Sequence, residues 1–384
     1  MSQGWKDSQN AQFGRRRAPP SSNPPPLWQR TLEVVRSSLP SISVPSSPPF
    51  PVSLEWDKIA KHPSADPEAG GLHKRRAMNK RVQVANVLAA VKDILSHFPS
   101  PSPPHLVEFC ASSGYVALPF KVLNPSAHVT ILDPKASSIN IGFSRIEGLS
   151  LPGMQSGVRA VLGTTETFKE VFDIGVALHA CGEATDAVLD ACIEKRAAFV
   201  LCPCCVGRIS RYALGYAEGR APPQSPNPPP PCHEWTKGDT TRTDLVRNVE
   251  SAWKSSLASM RDSRYDGRPR PRSQKLTQLL EPHHHGAARN FSSLAKASDA
   301  GEWSHEEFEA RENSACDGNG DNADVNADDN ADSKNKKDCK RIVDFDRLNF
   351  AEEKGYVCNS FTMMPSSCSP KNEVLFGYPS EWDN

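Results

Sequence analysis

The sequence predicts an α/β sandwich built on one doubly wound, largely parallel sheet, and three observations predict it. Between about residues 72 and 209, short apolar runs alternate with amphipathic ones, the rhythm of a parallel sheet covered by helices on both faces. The flanking stretches cannot supply a second core of that size: the 384 residues include 34 prolines and are only 38% hydrophobic, too little apolar surface to offset the entropy of ordering the whole chain. The ends of the apolar runs carry the glycine, acidic and histidine residues that ligand-binding sheets of this class display at their carboxyl edge.

The elements follow in order. Residues 1–71 are punctuated by PPSSNPPP, VPSSPPFP and HPSADPEAG. Proline at that density opposes helices and central strands, so a disordered Pro/Ser-rich N-terminal region is expected. Within it RTLEVVRSSL has Leu32, Val35 and Leu39 at helical spacing, enough for a short docking helix at most. The stretch HKRRAMNKRVQVANVLAAVKDILSHF opens the domain as an amphipathic helix with Val84, Val87, Leu88, Val91, Ile94 and Leu95 on one stripe. HLVEFC, HVTILD, VRAVLG, DIGVALHAC and AAFVLCPCC read as five strands. SSGYVALPFKVL, SSINIGFSRIEGL and ATDAVLDACIEKR read as helices between them. Residues 210–339 lose the rhythm, passing through APPQSPNPPPPCHEW and an Asp/Asn/Gly tract, and are expected to be a largely disordered insertion with one possible helix over 241–260. The acidic tract lacks the helix pair and closing Glu of a calcium loop. Residues 340–384 return to the domain: DRLNFAEEKGY as a helix stopped by Gly355, then YVCNSFTMM and EVLFGYP as a hairpin that completes seven strands.

Composition narrows the function classes. Lys+Arg and Asp+Glu both number 45, so no net charge draws the chain to nucleic acid or membrane. No apolar run reaches transmembrane length and the first residues lack a secretory core, which points to a cytoplasmic protein, or an organellar one if the Arg/Ser-rich start is a transit segment. The 11 cysteines sit mostly in the expected α/β core and are read as thiols or metal ligands ahead of disulfides. A local basic cluster stands out nonetheless. Lys74, Arg75, Arg76, Lys80 and Arg81 could contact RNA phosphates, the alternative being a solvated helix face. No motif for sequence-specific DNA binding is present.

The chemistry is expected at the strand ends. VEFCASSGY occupies the turn where nucleotide-binding sheets use three glycines, but only Gly114 survives, with Cys110 and Ser112 in the earlier two places. That loss argues against a pyrophosphate and is easier to reconcile with S-adenosylmethionine, which has none. Glu108, with Phe109 beside it, ends the first strand, where a carboxylate can attract the cationic amino-acid part of that cofactor. Asp133, followed by Pro134, ends the second strand where an acid accepts ribose hydroxyls. After the third strand, Thr164, Thr165 and Glu166 either face the adenine edge or merely cap a turn. LHACG brings His179 and Cys181 to the carboxyl edge, His179 as a proton acceptor or substrate contact. Thr185 and Asp186 are read as caps of the next helix. The Cys202, Pro203, Cys204, Cys205 run does not have zinc-site spacing, so a pocket-lining loop with Cys204 is preferred and no metal is assigned.

VEFCASSGYVALPF, FDIGVALHACGEATDAVLDACIEKRAAFVLCPCCVG, RIVDFDRLNFAEEKGY and MMPSSCSPKN resemble the methyltransferase domain of the glutathione S-transferase C-terminal domain-containing protein family. They are similar as well to the wider set of LH(A/T)CG and CC methyltransferase-like proteins related to tRNA 2′-O-methyltransferases. The resemblance spans residues 72 to 209 and 340 to 379. It implies a Rossmann-like, seven-stranded class I fold, S-adenosylmethionine as cofactor, and Glu108, Gly114 and Asp133 at cofactor positions. Two features depart from the pattern: CASSG has fewer glycines than usual, and no Asn-Pro-Pro-Tyr type motif follows the fourth strand. The sequence therefore favours an RNA methyltransferase, with a catalytically inactive binding module of the same fold as the alternative.

Overall fold

A computed structural model describes residues 24–39, 47–149, 156–180, 182–204, 206, 231–241, 270–283, 285–299, 327–369 and 371–383. Its centre is a sheet of eight strands: β1 (His105–Phe109), β2 (His128–Asp133), β3 (Val158–Leu162), β4 (Ile174–Leu178), β5 (Ala198–Cys202), β6 (His233–Glu234), β7 (Tyr356–Thr362) and β8 (Glu373–Pro379). Their spatial order is β6-β3-β2-β1-β4-β5-β8-β7. Strands β1 to β5 are mutually parallel, whereas β8 runs antiparallel to β5 and β7 antiparallel to β8. The order reverses between β1 and β4, which creates the crevice at the carboxyl edge where such sheets bind ligands.

Period-two alternation sends the strands' side chains into two cores. Leu106, Val129, Ile131, Val176 and Val200 pack with α3 (Lys74–Leu95), α4 (Ala117–Leu123) and α5 (Ala136–Glu147) on one face. Val107, Phe109, Leu132, Phe199 and Leu201 meet α6 (Glu183–Lys195) on the other, along with Phe350 and Ala351. No helix among the described residues is long and apolar enough to cross a membrane.

Three expectations are corrected. The sheet has an eighth strand, because Glu234 and His233 pair antiparallel with Val161 and Leu162 at the edge of β3; two residues carry too little periodicity to be read from sequence. The assignment of no fold to residues 1–71 fails for its described part. The short helix expected from RTLEVVRSSL is present as α1 (Leu27–Ser38), which buries Leu32 and Val35; beyond it, α2 covers Trp56–Ile59 and short turns cover Pro63–Ala65 and Pro67–Gly70. Proline is compatible with these because Pro63 and Pro67 begin their turns, where no N–H is required. Likewise the 210–339 stretch contains, besides β6, α7 (Gln274–Leu280), α8 (Gly286–Asp299) and the start of α9 (Ala327–Glu352). Leu32, Val35, Leu276, Phe291, Leu294 and Ile342 form a third apolar cluster that joins α1, α7, α8 and α9. The expected helix over 241–260 lies outside the described residues.

The returning C-terminal segment is locked by buried charge. Lys340 Nζ donates to Asp344 at 2.5 Å and to Glu373 at 2.6 Å. Arg347 donates to Asp344 at 2.9 Å and to Asp186 at 2.9 Å, and Arg272 donates to Asp186 and Asp190. Asp186 is therefore an ion-network member rather than the helix cap the sequence suggested. Its carboxyl, though buried, is held below the usual range by the guanidiniums of Arg347 and Arg272. Removing one partner of such a chain leaves an uncompensated buried charge. Arg347→Ala, which removes one of the two cations facing each of Asp186 and Asp344, is expected to lower the unfolding free energy by about 3–5 kcal/mol, read from urea denaturation monitored by circular dichroism.

Candidate functional site

The site is organised around the loop that follows β1. Cys110 (φ 51°), Ser112 (φ 52°) and Gly114 (φ 80°) all lie in the left-handed region. Cys110 and Ser112 hold the places where the sequence lacks the glycines of a nucleotide-binding turn, so the loop keeps a glycine-like path with non-glycine residues. Each such residue costs about 1–2 kcal/mol, and such strain persists only where the surroundings over-determine it. At the third position a Cβ on Gly114 would lie 2.4 Å from Ile131 Cδ1, so any other residue would force the buried Ile131 side chain to shift.

Two carboxylates impose the path. Asp133, at the end of β2, accepts from the backbone N–H of Ser112 at 2.8 Å through Oδ2 and from that of Lys135 at 2.8 Å through Oδ1. Glu108 is buried and accepts from the N–H of Val116 at 3.0 Å and Ala117 at 2.7 Å, the first turn of α4. Glu108 was expected to attract a cationic ligand group; its oxygens are instead directed at the helix N-terminus. Burial raises its carboxyl to about 7, despite the two N–H bonds and the nearby charges of Arg145 and Lys80. Phe109 contributes backbone only. Its ring turns into the opposite core, edge-on to Phe172 at 5.4 Å. Pro134 is exposed between β2 and α5.

Further along the edge, Thr165 and Glu166 form a short turn after β3, closed by a reciprocal Thr164–Thr167 capping box. Thr165 is buried and Glu166 half-buried. At the end of β4, His179 takes a left-handed backbone (φ 67°), and its Nε2 lies 2.9 Å from Gln83 Oε1. Gln83 Nε2 donates to the Cys368 carbonyl at 2.8 Å, so Gln83 Oε1 accepts and His179 Nε2 carries the proton. The basic nitrogen of the neutral ring is then Nδ1. Cys204 is half-buried, and the thiol of its neighbour Cys202 is pushed up to about 12 by burial. Cys181 lies outside the described residues.

Sequence reasoning missed the part played by α3. Of its basic cluster, Arg81 is committed to Asp66 at 2.8 Å and Glu68 at 3.6 Å. Lys80 turns toward the sheet, its Nζ 5.6 Å from the Tyr115 ring centroid. Burial lowers its ammonium to about 8, against the opposing pull of Glu108, Cys202 and Cys204. One turn on, Gln83 holds His179. Asn86 clamps Met364, donating to its carbonyl and accepting from its N–H at 2.9 Å each. The available signal was polar side chains at positions 83 and 86, interrupting an apolar stripe. Arg145 completes the frame, donating to the carbonyls of Ser64, Ala65, Asp66 and Ser113. It thereby ties the turns before α3 to the β1 loop.

The strand order with its antiparallel β8 and β7, and the loop beneath the β1/β4 reversal, define a Rossmann-like domain of the class I methyltransferase type. Residues 79–211 match a family described as a methyltransferase domain. The chain is similar to the glutathione S-transferase C-terminal domain-containing protein of Homo sapiens, 26% identical over 327 residues, which cover 85% of this chain and 37% of that one. A Drosophila melanogaster homolog of that protein is 30% identical over 159 residues, 41% of this chain and 25% of the other. This chain thus spans well under half the length of these relatives. Among solved structures, the glycopeptide N-methyltransferase MtfA complexed with S-adenosylmethionine aligns at 16% identity over 30% of this chain and 53% of that chain, with a TM-score of 0.24.

Glu108 makes the loop's stability depend on pH. Its folded-state value of about 7 lies above the ordinary carboxyl value, so the folded state keeps a proton that the unfolded chain releases. The contribution is fully present below the unfolded pKa and is lost as pH rises through the folded one. The stability difference between wild type and Glu108→Gln is expected to fall by up to roughly 3 kcal/mol across that interval, measured by urea titrations at a series of pH values. A pH-independent difference would remove Glu108 as the titrating group.

Proposed function

We propose that this chain is an S-adenosylmethionine-dependent methyltransferase that acts on RNA at a ribose hydroxyl. The observation that carries the cofactor reading is the left-handed backbone at Cys110, Ser112 and Gly114. A loop short of glycines still offers a ligand the close backbone approach that glycines provide elsewhere. The crevice also has no run of free loop N–H groups for a pyrophosphate: the Ser112 N–H is turned onto Asp133, and those of Val116 and Ala117 onto Glu108. That favours a nucleoside without a pyrophosphate.

In this reading the cofactor supplies an electrophilic methyl group, and the chain supplies position. Asp133 faces the ribose hydroxyls while fixing the loop, and Thr165 and Glu166 flank the adenine. His179, its Nε2 committed to Gln83, takes the acceptor's proton at Nδ1. Cys110 and Cys204 line the acceptor side. RNA is favoured because Lys74 and Arg76, at the start of α3, are exposed on the helix that carries Lys80 and Gln83 into the site. Exposed cations there would meet phosphates and position a strand without reading its sequence.

The test is calorimetric titration of the full chain with S-adenosylmethionine and S-adenosylhomocysteine, with NAD as control. Saturable binding of the adenosyl pair alone is expected, and Asp133→Ala should weaken it by about 1.5–3 kcal/mol, the scale of a charged hydrogen bond. An absence of binding would leave a methyltransferase-fold binding module as the better description. Binding of NAD as well would point to nucleotide chemistry instead.

A further inference from the structure

Lys80 is anomalous among the charged side chains around the crevice. Arg145 spends its donors on four backbone carbonyls, Lys121 on those of Pro125, Ala127 and Ser156, and Lys340, Arg347 and Arg272 on carboxylates. The Lys80 ammonium, among the described residues, makes no hydrogen bond or ion pair. Its contact is with the face of the Tyr115 ring. Glu108, an acid within electrostatic reach, directs its oxygens at the N–H groups of α4. An ammonium held over a ring face keeps its N–H donors open to an anionic group that arrives from outside. The residue is half-buried rather than sealed, so its amine can be reached.

Position identifies the partner. Asp133, Thr165 and Glu166, the residues assigned to the nucleoside, stand at the ends of β2 and β3. Lys80 stands on the other side of the loop, beside Tyr115 and within electrostatic reach of Glu108 on β1 and of Cys202 and Cys204 at β5. A ligand with adenosine over β2 extends its amino-acid tail across the β1 loop toward Lys80. In S-adenosylmethionine the sulfonium and amino groups are cationic, and the anionic group is the carboxylate at the end of that tail. We propose that Lys80 binds the carboxylate of the cofactor's amino-acid end, anchoring the tail above the loop. This inference rests on the cofactor reading given under Proposed function.

The two can be tested separately with a pair of ligands. S-adenosylhomocysteine carries the carboxylate; 5′-methylthioadenosine is the same nucleoside thioether without the amino acid. Full-length wild type, Lys80→Met and Lys80→Gln are titrated with each by calorimetry, and their thermal unfolding is followed without ligand. Both variants are expected to bind S-adenosylhomocysteine about 10- to 100-fold more weakly, the scale of one charge-assisted hydrogen bond, and 5′-methylthioadenosine as wild type does. Their unliganded melting temperatures should change little, since the ammonium makes no hydrogen bond or ion pair among the described residues and its ring contact is long. Equal weakening of both ligands, or no weakening of either, would overturn the Lys80 assignment while leaving the cofactor reading intact. Failure of wild type to bind either ligand would overturn both.

Discussion

The crevice depends on two carboxylates that face backbone rather than solvent. Asp133 and Glu108 stand at the ends of adjacent parallel strands and draw in the N–H groups of Ser112, Lys135, Val116 and Ala117. Those contacts offset the left-handed strain at Cys110 and Ser112, at about 1–2 kcal/mol each. A loop with three glycines would reach the same path with little strain and little guidance. Here the path is imposed, which makes the loop stiffer and its geometry sensitive to either acid. Both acids therefore have a structural role that precedes any contact with a ligand.

A second constraint acts from the far side of the sheet. Strands β7 and β8 lie a long way down the chain from β5, and their return is fixed by the charge alternation Glu373–Lys340–Asp344–Arg347–Asp186–Arg272–Asp190. Buried ion pairs are poor sources of net stability but tolerate little misregistration. This register gives each of the seven groups a partner of opposite charge. Arg347 also donates to the Gly182 carbonyl at 3.3 Å, so the lock reaches the turn that follows His179. The loop after β4 is thereby referenced both to the C-terminal hairpin and, through Gln83, to α3.

The sheet was legible because its strands are apolar runs of ordinary length bounded by turn residues; HVTILD and EVLFGYP coincide with β2 and β8. What escaped did so for physical reasons. Helix α1 was read as a short docking helix, but its partners Phe291, Leu294 and Ile342 lie far away in the chain and were not legible. The two residues of β6 gain their conformation from the edge of β3 alone. Composition misled most in the 210–339 stretch, where average polarity hid α7 and α8. The placement of Glu108, Asp133 and His179 at strand ends was legible, whereas the direction of their side chains was not. Lys80 was misread because a run of basic residues on a helix looks uniform until the helix is placed against something.

That placement gives α3 its significance. One helix presents Lys74 and Arg76 to solvent, Lys80 to the β1 loop, Gln83 to His179 and Asn86 to the Met364 backbone. Its position is set from two directions: by the turns before it, through Arg81–Asp66 and the Arg145 contacts, and by the segment between β7 and β8, through Gln83 and Asn86. Disturbing either support would move Lys80 and Gln83 together, because a helix shifts as a rigid element. Lys80 and the Gln83–His179 pair are thus mechanically joined across the crevice. A polyanion bound along the exposed start of α3 would act on both at once, which is the physical route by which substrate engagement could organise the site it serves.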